Sequence, residues 1–227
     1  MARFDRLEVW GEMLRIGLVP LFYHPDAEVA FQVTRACWAG GARVVEFTHR
    51  GDFALEVFGE LSRRTSREIP EVILGVGSVI DSPTAALYIA SGANFIVSPV
   101  FCESVARLSN RHKVAYIPGC ATPSEISAAE EMGVEIIKVF PAHGIGGPDF
   151  VRAVRGPCPW VRLMPTGGIE ATQESIRSWF QAGAACIGMG SALIRREWVE
   201  TGNWDAIAEL VRRVLTWIQQ ERRYSAG

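Results

Sequence analysis

The sequence predicts an α/β fold, a (β/α)8 TIM barrel with an extra N-terminal helix, forming one domain over residues 1–227. Three observations carry this. Short β-branched or aromatic runs alternate eight times with longer segments of helical spacing, the pattern of βα units and a parallel sheet. Eight units in 227 residues leave about 28 residues each, near the minimum for a crossover that includes a helix. An open doubly wound sheet would alternate in the same way, but no strand is followed by a G-x-G-x-x-G that opens a helix; "GVGSVID" and "GMGSAL" are only partly similar.

Residues 3–16 read as the extra helix, covering the N-terminal end of the barrel. The strands follow at 18–23, 43–49, 72–79, 94–100, 114–119, 135–142, 161–168 and 186–193. A helical segment comes after each, at 26–39, 52–66, 83–91, 102–112, 123–132, 148–155, 172–182 and 203–223. Start signals mark several of them. Asp81-Ser82-Pro83, Thr122-Pro123 with Glu125, and Gly147-Pro148 each put a capping or flexible residue before a proline suited to a first helical turn.

Composition narrows the class. The net charge is −2 and the basic residues form no long block, so neither a nucleic-acid footprint nor a polybasic membrane patch is expected. The N-terminus mixes charges into its apolar positions, and no later apolar run is long enough to span a bilayer, so a cytoplasmic enzyme is expected. Five scattered cysteines (37, 102, 120, 158, 186) without a C-x-x-C pair suggest neither a disulfide framework nor a zinc site.

Barrel active sites lie at the C-terminal ends of strands, so polar residues there are the candidates. Lys138 stands out. Of 23 Lys+Arg only Lys113 and Lys138 are lysines, and Lys138 interrupts the apolar run "EIIKVF". Alternation sends Ile137 and Val139 to one face and Lys138 to the other, toward the barrel interior. Burial and a nearby cation lower a lysine's pKa and free its amine to form a Schiff base. A lysine paired there with Glu46 for purely structural reasons is the alternative.

In "VVEFTHR", Glu46, Thr48 and Arg50 fall at i, i+2 and i+4 on one strand face. Arginine's fork suits a substrate carboxylate, and a carboxylate near a Schiff-base carbon can shuttle protons. A solvated strand end with an ordinary Glu–Arg contact would show the same spacing. His49, on the opposite face, reads as a packing or surface residue. Ser78 ends the third strand. Thr166, Gly167 and Gly168 end the seventh, and Gly190 and Ser191 lie at the eighth. The glycines let backbone N–H groups approach a phosphate, or simply make tight turns. Phe140 supplies pocket wall beyond the lysine. The four histidines (24, 49, 112, 143) lack metal-ligand spacing; a set built from Glu46, His49 and His143 would leave the lysine unnecessary.

Together "VEFTHR", "GVGSV", "VSP", "IPGCATPSE", "KVFPA", "PTGGI" and "GMGSAL" resemble, in order and spacing, the motifs of the class I 2-keto-3-deoxy-6-phosphogluconate / 4-hydroxy-2-oxoglutarate (KDPG/KHG) aldolase family, from about residue 14 to 194. The resemblance implies a homotrimeric barrel that needs no metal or other cofactor and cleaves a small-molecule 2-keto-4-hydroxy acid to pyruvate and an aldehyde. It puts the Schiff-base lysine on Lys138, the proton-shuttling glutamate on Glu46 and the pyruvate-carboxylate arginine on Arg50. Ser78 in "GVGS" takes the place of a threonine that helps to hold the pyruvate part. Gly167, Gly168 and Ser191 fall on phosphate-binding positions, and Thr48, Thr166 and Phe140 on other pocket positions. "FTHRGD" replaces the family's more usual "VTLRT", and His143 stands where many relatives carry an acid, so the end of the pocket facing the leaving aldehyde differs. Two rival readings are another phosphate-binding barrel enzyme, such as an isomerase or epimerase, and a non-catalytic sugar-acid-binding protein.

Overall fold

A computed structural model describes residues 2–225. Capping residues set most helix starts. Asp5 and Glu8 form a reciprocal capping box ahead of α1 (Arg6–Ile16), and Gly17, at φ +81°, ends it by donating its N–H to the Met13 carbonyl. Thr122 and Glu125 repeat the box at α6 (Pro123–Glu131). Asp26, Asp81 and Thr172 cap α2 (Ala27–Ala39), α4 (Ser82–Ala90) and α8 (Gln173–Gln181) with a side-chain oxygen. Four helices start without a side-chain cap: α3 (Ala54–Glu68), α5 (Glu103–His112), α7 (Gly147–Arg155) and a short α9 (Arg196–Glu200). At α7 the expected Gly147-Pro148 lies in the first turn, with Gly146 at φ +114° in front. After α9 comes α10 (Trp204–Ser225).

The strands are short and all paired in parallel. Six of them, β1 (Leu18–Phe22), β2 (Val44–Thr48), β3 (Ile73–Gly77), β4 (Phe95–Val97), β5 (Ala115–Ile117) and β9 (Ile187–Met189), form a sheet in the order β5-β4-β3-β2-β1-β9. The other three, β6 (Gly119–Cys120), β7 (Ile137–Val139) and β8 (Leu163–Pro165), form a second sheet in that order. The sequence predicts one strand over 114–119; the structure divides it into β5 and β6 at Pro118, which has no N–H to give to a ladder. An isolated parallel bridge joins Thr166, just past β8, to Gly188 of β9.

Side-chain alternation gives the strands two distinct faces. Val45, Phe47, Leu74, Val76, Ile96, Ile137, Val139, Leu163 and Ile187 pack with the surrounding helices in the larger core cluster. Val19, Val44, Ile73, Phe95, Ile117, Ile136, Met164 and Cys186 belong to a second cluster, completed by Val9, Trp10 and Met13 of α1. The helix read from residues 3–16 therefore covers the N-terminal ends of the strands, leaving the C-terminal ends for polar groups. Among the described residues no helix is long and apolar enough to cross a membrane.

Met13 is fully buried between α1 and the strand face, whereas Leu7 on the same helix is exposed. Met13→Ala should cost about 2–4 kcal/mol in urea unfolding, and Leu7→Ala less than about 0.5 kcal/mol; equal effects would mean that α1 is not a packed floor.

Candidate active site

The C-terminal ends of the strands open into a cavity of about 930 Å³ that collects every residue the sequence singled out: Lys138, Glu46, Arg50, Thr48, Ser78, Phe140, Thr166, Gly167, Gly168, Gly190 and Ser191. Lys138 is the central residue of β7, paired in register with Gly119 of β6 and Met164 of β8. Its neighbours Ile137 and Val139 face the helices, so the ammonium is pushed to the cavity side and is only 6% exposed. Burial holds its pKa below the ordinary lysine range; Glu46 pulls the value up and Arg50 pulls it down, and burial wins. The Nζ also lies 4.7 Å from the centre of the Phe140 ring, an apolar wall with a favourable face for a cation.

Glu46, on β2, is 1% exposed. Burial raises its pKa above the usual carboxylate range, against the opposing pull of Lys138 and Arg50. Its Oε2 has no hydrogen-bond partner among the described residues, an uncommon condition for a buried oxygen and one suited to a group that must take up and release a proton. Space for the carboxylate comes from β3, where any Cβ at Gly77 would overlap it. Arg50 lies two residues beyond the end of β2, exposed at the cavity rim. Every ion pair among the described residues uses an arginine, and Arg50 takes part in none of them. Its guanidinium is available to an incoming anion.

Thr48 differs from the simplest reading of its strand position: its hydroxyl donates to the Phe22 carbonyl at 3.2 Å, tying β2 to β1. Ser78 follows β3 in the left-handed region, at φ +64°, and faces the cavity. On the far side Gly167 and Gly168 are consecutive left-handed residues, at φ +94° and +77°. Backbone bonds from Ala142 to the Thr166 carbonyl (2.9 Å) and from His143 to the Gly167 carbonyl (3.1 Å) lock the loop after β7 onto the loop after β8. Two bare glycines beside Gly190 and Ser191 form a wall that an anion can approach closely.

His49 faces away from the cavity, with Nδ1 2.7 Å from the Tyr88 hydroxyl. A metal set including it is not assembled, and no group of three or more His, Cys, Asp or Glu among the described residues is placed to hold a metal ion. Tyr23, His24, Glu170 and Arg196 also line the cavity and were not singled out from the sequence. The rule that points to strand ends would have found Tyr23 and His24 after the first strand. Arg196 belongs to α9, whose five residues are too few for a periodic signal.

A family model described as "KDPG and KHG aldolase" matches residues 11–210. The chain is 33% identical over 198 residues to the 2-dehydro-3-deoxy-phosphogluconate aldolase of Pseudoalteromonas atlantica, covering 87% of this chain and 89% of that one. It is equally 33% identical, over 199 residues, to the KHG/KDPG aldolase of Escherichia coli K12, with 87% and 90% covered. Among solved structures it resembles a KDPG aldolase from Legionella pneumophila determined with pyruvate captured at low pH as a covalent carbinolamine intermediate; the TM-score is 0.81 at 28% identity, over 89% of this chain and 96% of that one.

The opposing pulls on Lys138 have signs that can be tested. Glu46→Gln removes the carboxylate that raises the lysine's pKa and should lower it further; Arg50→Ala removes a neighbouring cation and should raise it. With only two lysines in the chain, 13C NMR of the reductively methylated protein resolves the titration. Identical Lys138 curves in all three proteins would refute this electrostatic coupling.

Proposed function

The chain belongs to the KDPG and KHG aldolase family, and from that premise we propose that Lys138 is the Schiff-base nucleophile, Glu46 the proton carrier and Arg50 with Ser78 the pyruvate-carboxylate clamp of a class I aldolase. The observation that carries the assignment is the pair of buried, oppositely perturbed groups, an amine held toward its neutral form and a carboxyl with an unpartnered oxygen, on facing strands of one cavity. The substrate is a 2-keto-3-deoxy-6-phospho sugar acid or 4-hydroxy-2-oxoglutarate, and the products are pyruvate and glyceraldehyde 3-phosphate or glyoxylate.

The neutral Lys138 amine attacks the C2 ketone to give a carbinolamine, which loses water to become an iminium. Glu46, directly or through water, takes the proton of the C4 hydroxyl; the C3–C4 electron pair moves into the iminium as the aldehyde leaves. The resulting enamine is protonated at C3, and water hydrolyses the imine to release pyruvate and restore the amine. Arg50 and Ser78 contribute mainly orientation, holding the ketone carbon toward Nζ. Gly167, Gly168, Gly190 and Ser191 receive the phosphate of a phosphorylated substrate, with Thr48, Thr166 and Phe140 shaping the wall between the two anion sites.

We read the two sheets as one closed (β/α)8 ring with α1 as an extra N-terminal helix. The continuity of β5 and β6 across Pro118 supports one seam, and the Thr166–Gly188 bridge the other. The described residues, 2–225, are then a single domain, and positions 1, 226 and 227 of the expected 1–227 lie outside them. A homotrimer is proposed as well: Phe53, Ile80 and Val100 expose apolar surface from three successive strand-to-helix loops, and Leu87 from α4. A cytoplasmic location fits the free cysteines and the small net charge.

Incubation with pyruvate and borohydride should leave one pyruvyl adduct, mapped by peptide mass to Lys138, and Lys138→Met should abolish both adduct and aldol cleavage. Substantial cleavage by Lys138→Met would defeat the assignment. Ser191→Ala should raise KM about three- to tenfold for the phosphorylated substrate and leave that for 4-hydroxy-2-oxoglutarate unchanged, as expected for one lost hydrogen bond to phosphate.

A further inference from the structure

Arg50 poses a physical problem that the catalytic assignment leaves open. It sits past the end of β2 on an exposed turn, with a long side chain and no ion-pair partner among the described residues, yet a carboxylate clamp must be held in place before substrate arrives. The residues on either side of it are both fixed. His49 extends the β2 ladder by one bond, its N–H donating to the Gly77 carbonyl at 2.7 Å. Its ring turns away from the cavity, and Nδ1 meets the Tyr88 hydroxyl at 2.7 Å, with ring centres 5.4 Å apart and nearly perpendicular planes. On the other flank Gly51 has φ +83°, and a Cβ there would lie 2.7 Å from the Tyr23 hydroxyl, so the tyrosine stands directly over the Gly51 backbone.

These two holds are linked through a continuous set of aromatic rings. Tyr23 packs on Phe47 (5.7 Å between centres), Phe47 on Phe58 (6.1 Å), and Phe58 on Tyr88 (5.1 Å, edge to face). Tyr88 is 1% exposed, and its hydroxyl, pushed up to about 12 by burial and next by the neighbouring Tyr23, keeps its proton and can donate it to the imidazole. None of this reaches the cavity except Tyr23, and neither His49 nor Tyr88 lines it.

We propose that the His49–Tyr88 hydrogen bond, together with Tyr23 over Gly51, forms a clasp that positions Arg50 for the substrate carboxylate. His49 and Tyr88 are positioning residues: they act on pyruvate binding through the backbone at 49–51 and touch no reacting atom. This rests on the assignment of Arg50 as the carboxylate clamp.

The test is borohydride trapping as a function of pyruvate concentration. Tyr88→Phe keeps the ring and deletes the hydroxyl; it should raise the half-saturating pyruvate concentration about three- to tenfold, the size of one lost hydrogen bond, while the trapping rate at saturation stays at the wild-type value. His49→Phe should give a similar shift. In an Arg50→Ala background, Tyr88→Phe should have no further effect, because the clasp then has nothing to position. Wild-type half-saturation in Tyr88→Phe, or a full shift that persists without Arg50, would overturn the proposal. Absence of trapping in the wild-type protein would instead overturn the Schiff-base reading itself. A Tyr88→Phe protein that lost saturation rate and affinity equally would show a general loss of structure and would also count against the clasp.

Discussion

The constraint on which the rest of this molecule depends is the two-residue repeat of the β-strand. Because successive side chains point to opposite faces, a strand can pack Val45 and Phe47 against helices while carrying Val44, Glu46 and Thr48 on the other side. On β7 the same repeat hides Ile137 and Val139 and delivers Lys138 to the cavity. Glu46 and Lys138 are thus each held between two apolar neighbours packed against the helices. A slip of one residue would exchange the faces and bury the chemistry among the helices.

Burying two ionisable groups this way is costly unless something offsets it, and here the offset is partial. Glu46 and Lys138 influence each other's charge state, yet desolvation dominates for both. Closer pairing would favour the charged amine, which is not a nucleophile. The bare strand positions on the same face show how the space was made: Gly77 clears room for the Glu46 carboxylate and Gly188 for the Thr166 side chain. Strand stability is given up at those positions in exchange for room at the site.

Much of this was legible in the sequence because the signals were of long range relative to noise. Eight strand-like runs and nine helices, the extra one at residues 3–16 included, all appear close to where the pattern put them, and a lone lysine inside "EIIKVF" or an acid inside "VVEFTH" has few explanations other than a polar interior. What was hidden was of two kinds. Short elements such as α9 and the 3-10 turn at His143–Ile145 hold too few residues to show a period, and the break at Pro118 depends on which strand edge needs an N–H. The other kind is pairing at a distance: nothing local to Tyr88 announces His49, 39 residues earlier, or tells that Thr48 gives its hydroxyl to Phe22. Tertiary hydrogen bonds are chosen by the fold, so they become readable only once the fold exists.

The floor built by α1 has a consequence for traffic. Val9, Trp10 and Met13 cover the N-terminal ends of the strands with buried apolar side chains. The cavity opens at the strand C-termini, so substrate, products and water have access from that side. An apolar floor at one end and an opening at the other give the cavity a direction of traffic that the chemistry itself does not require.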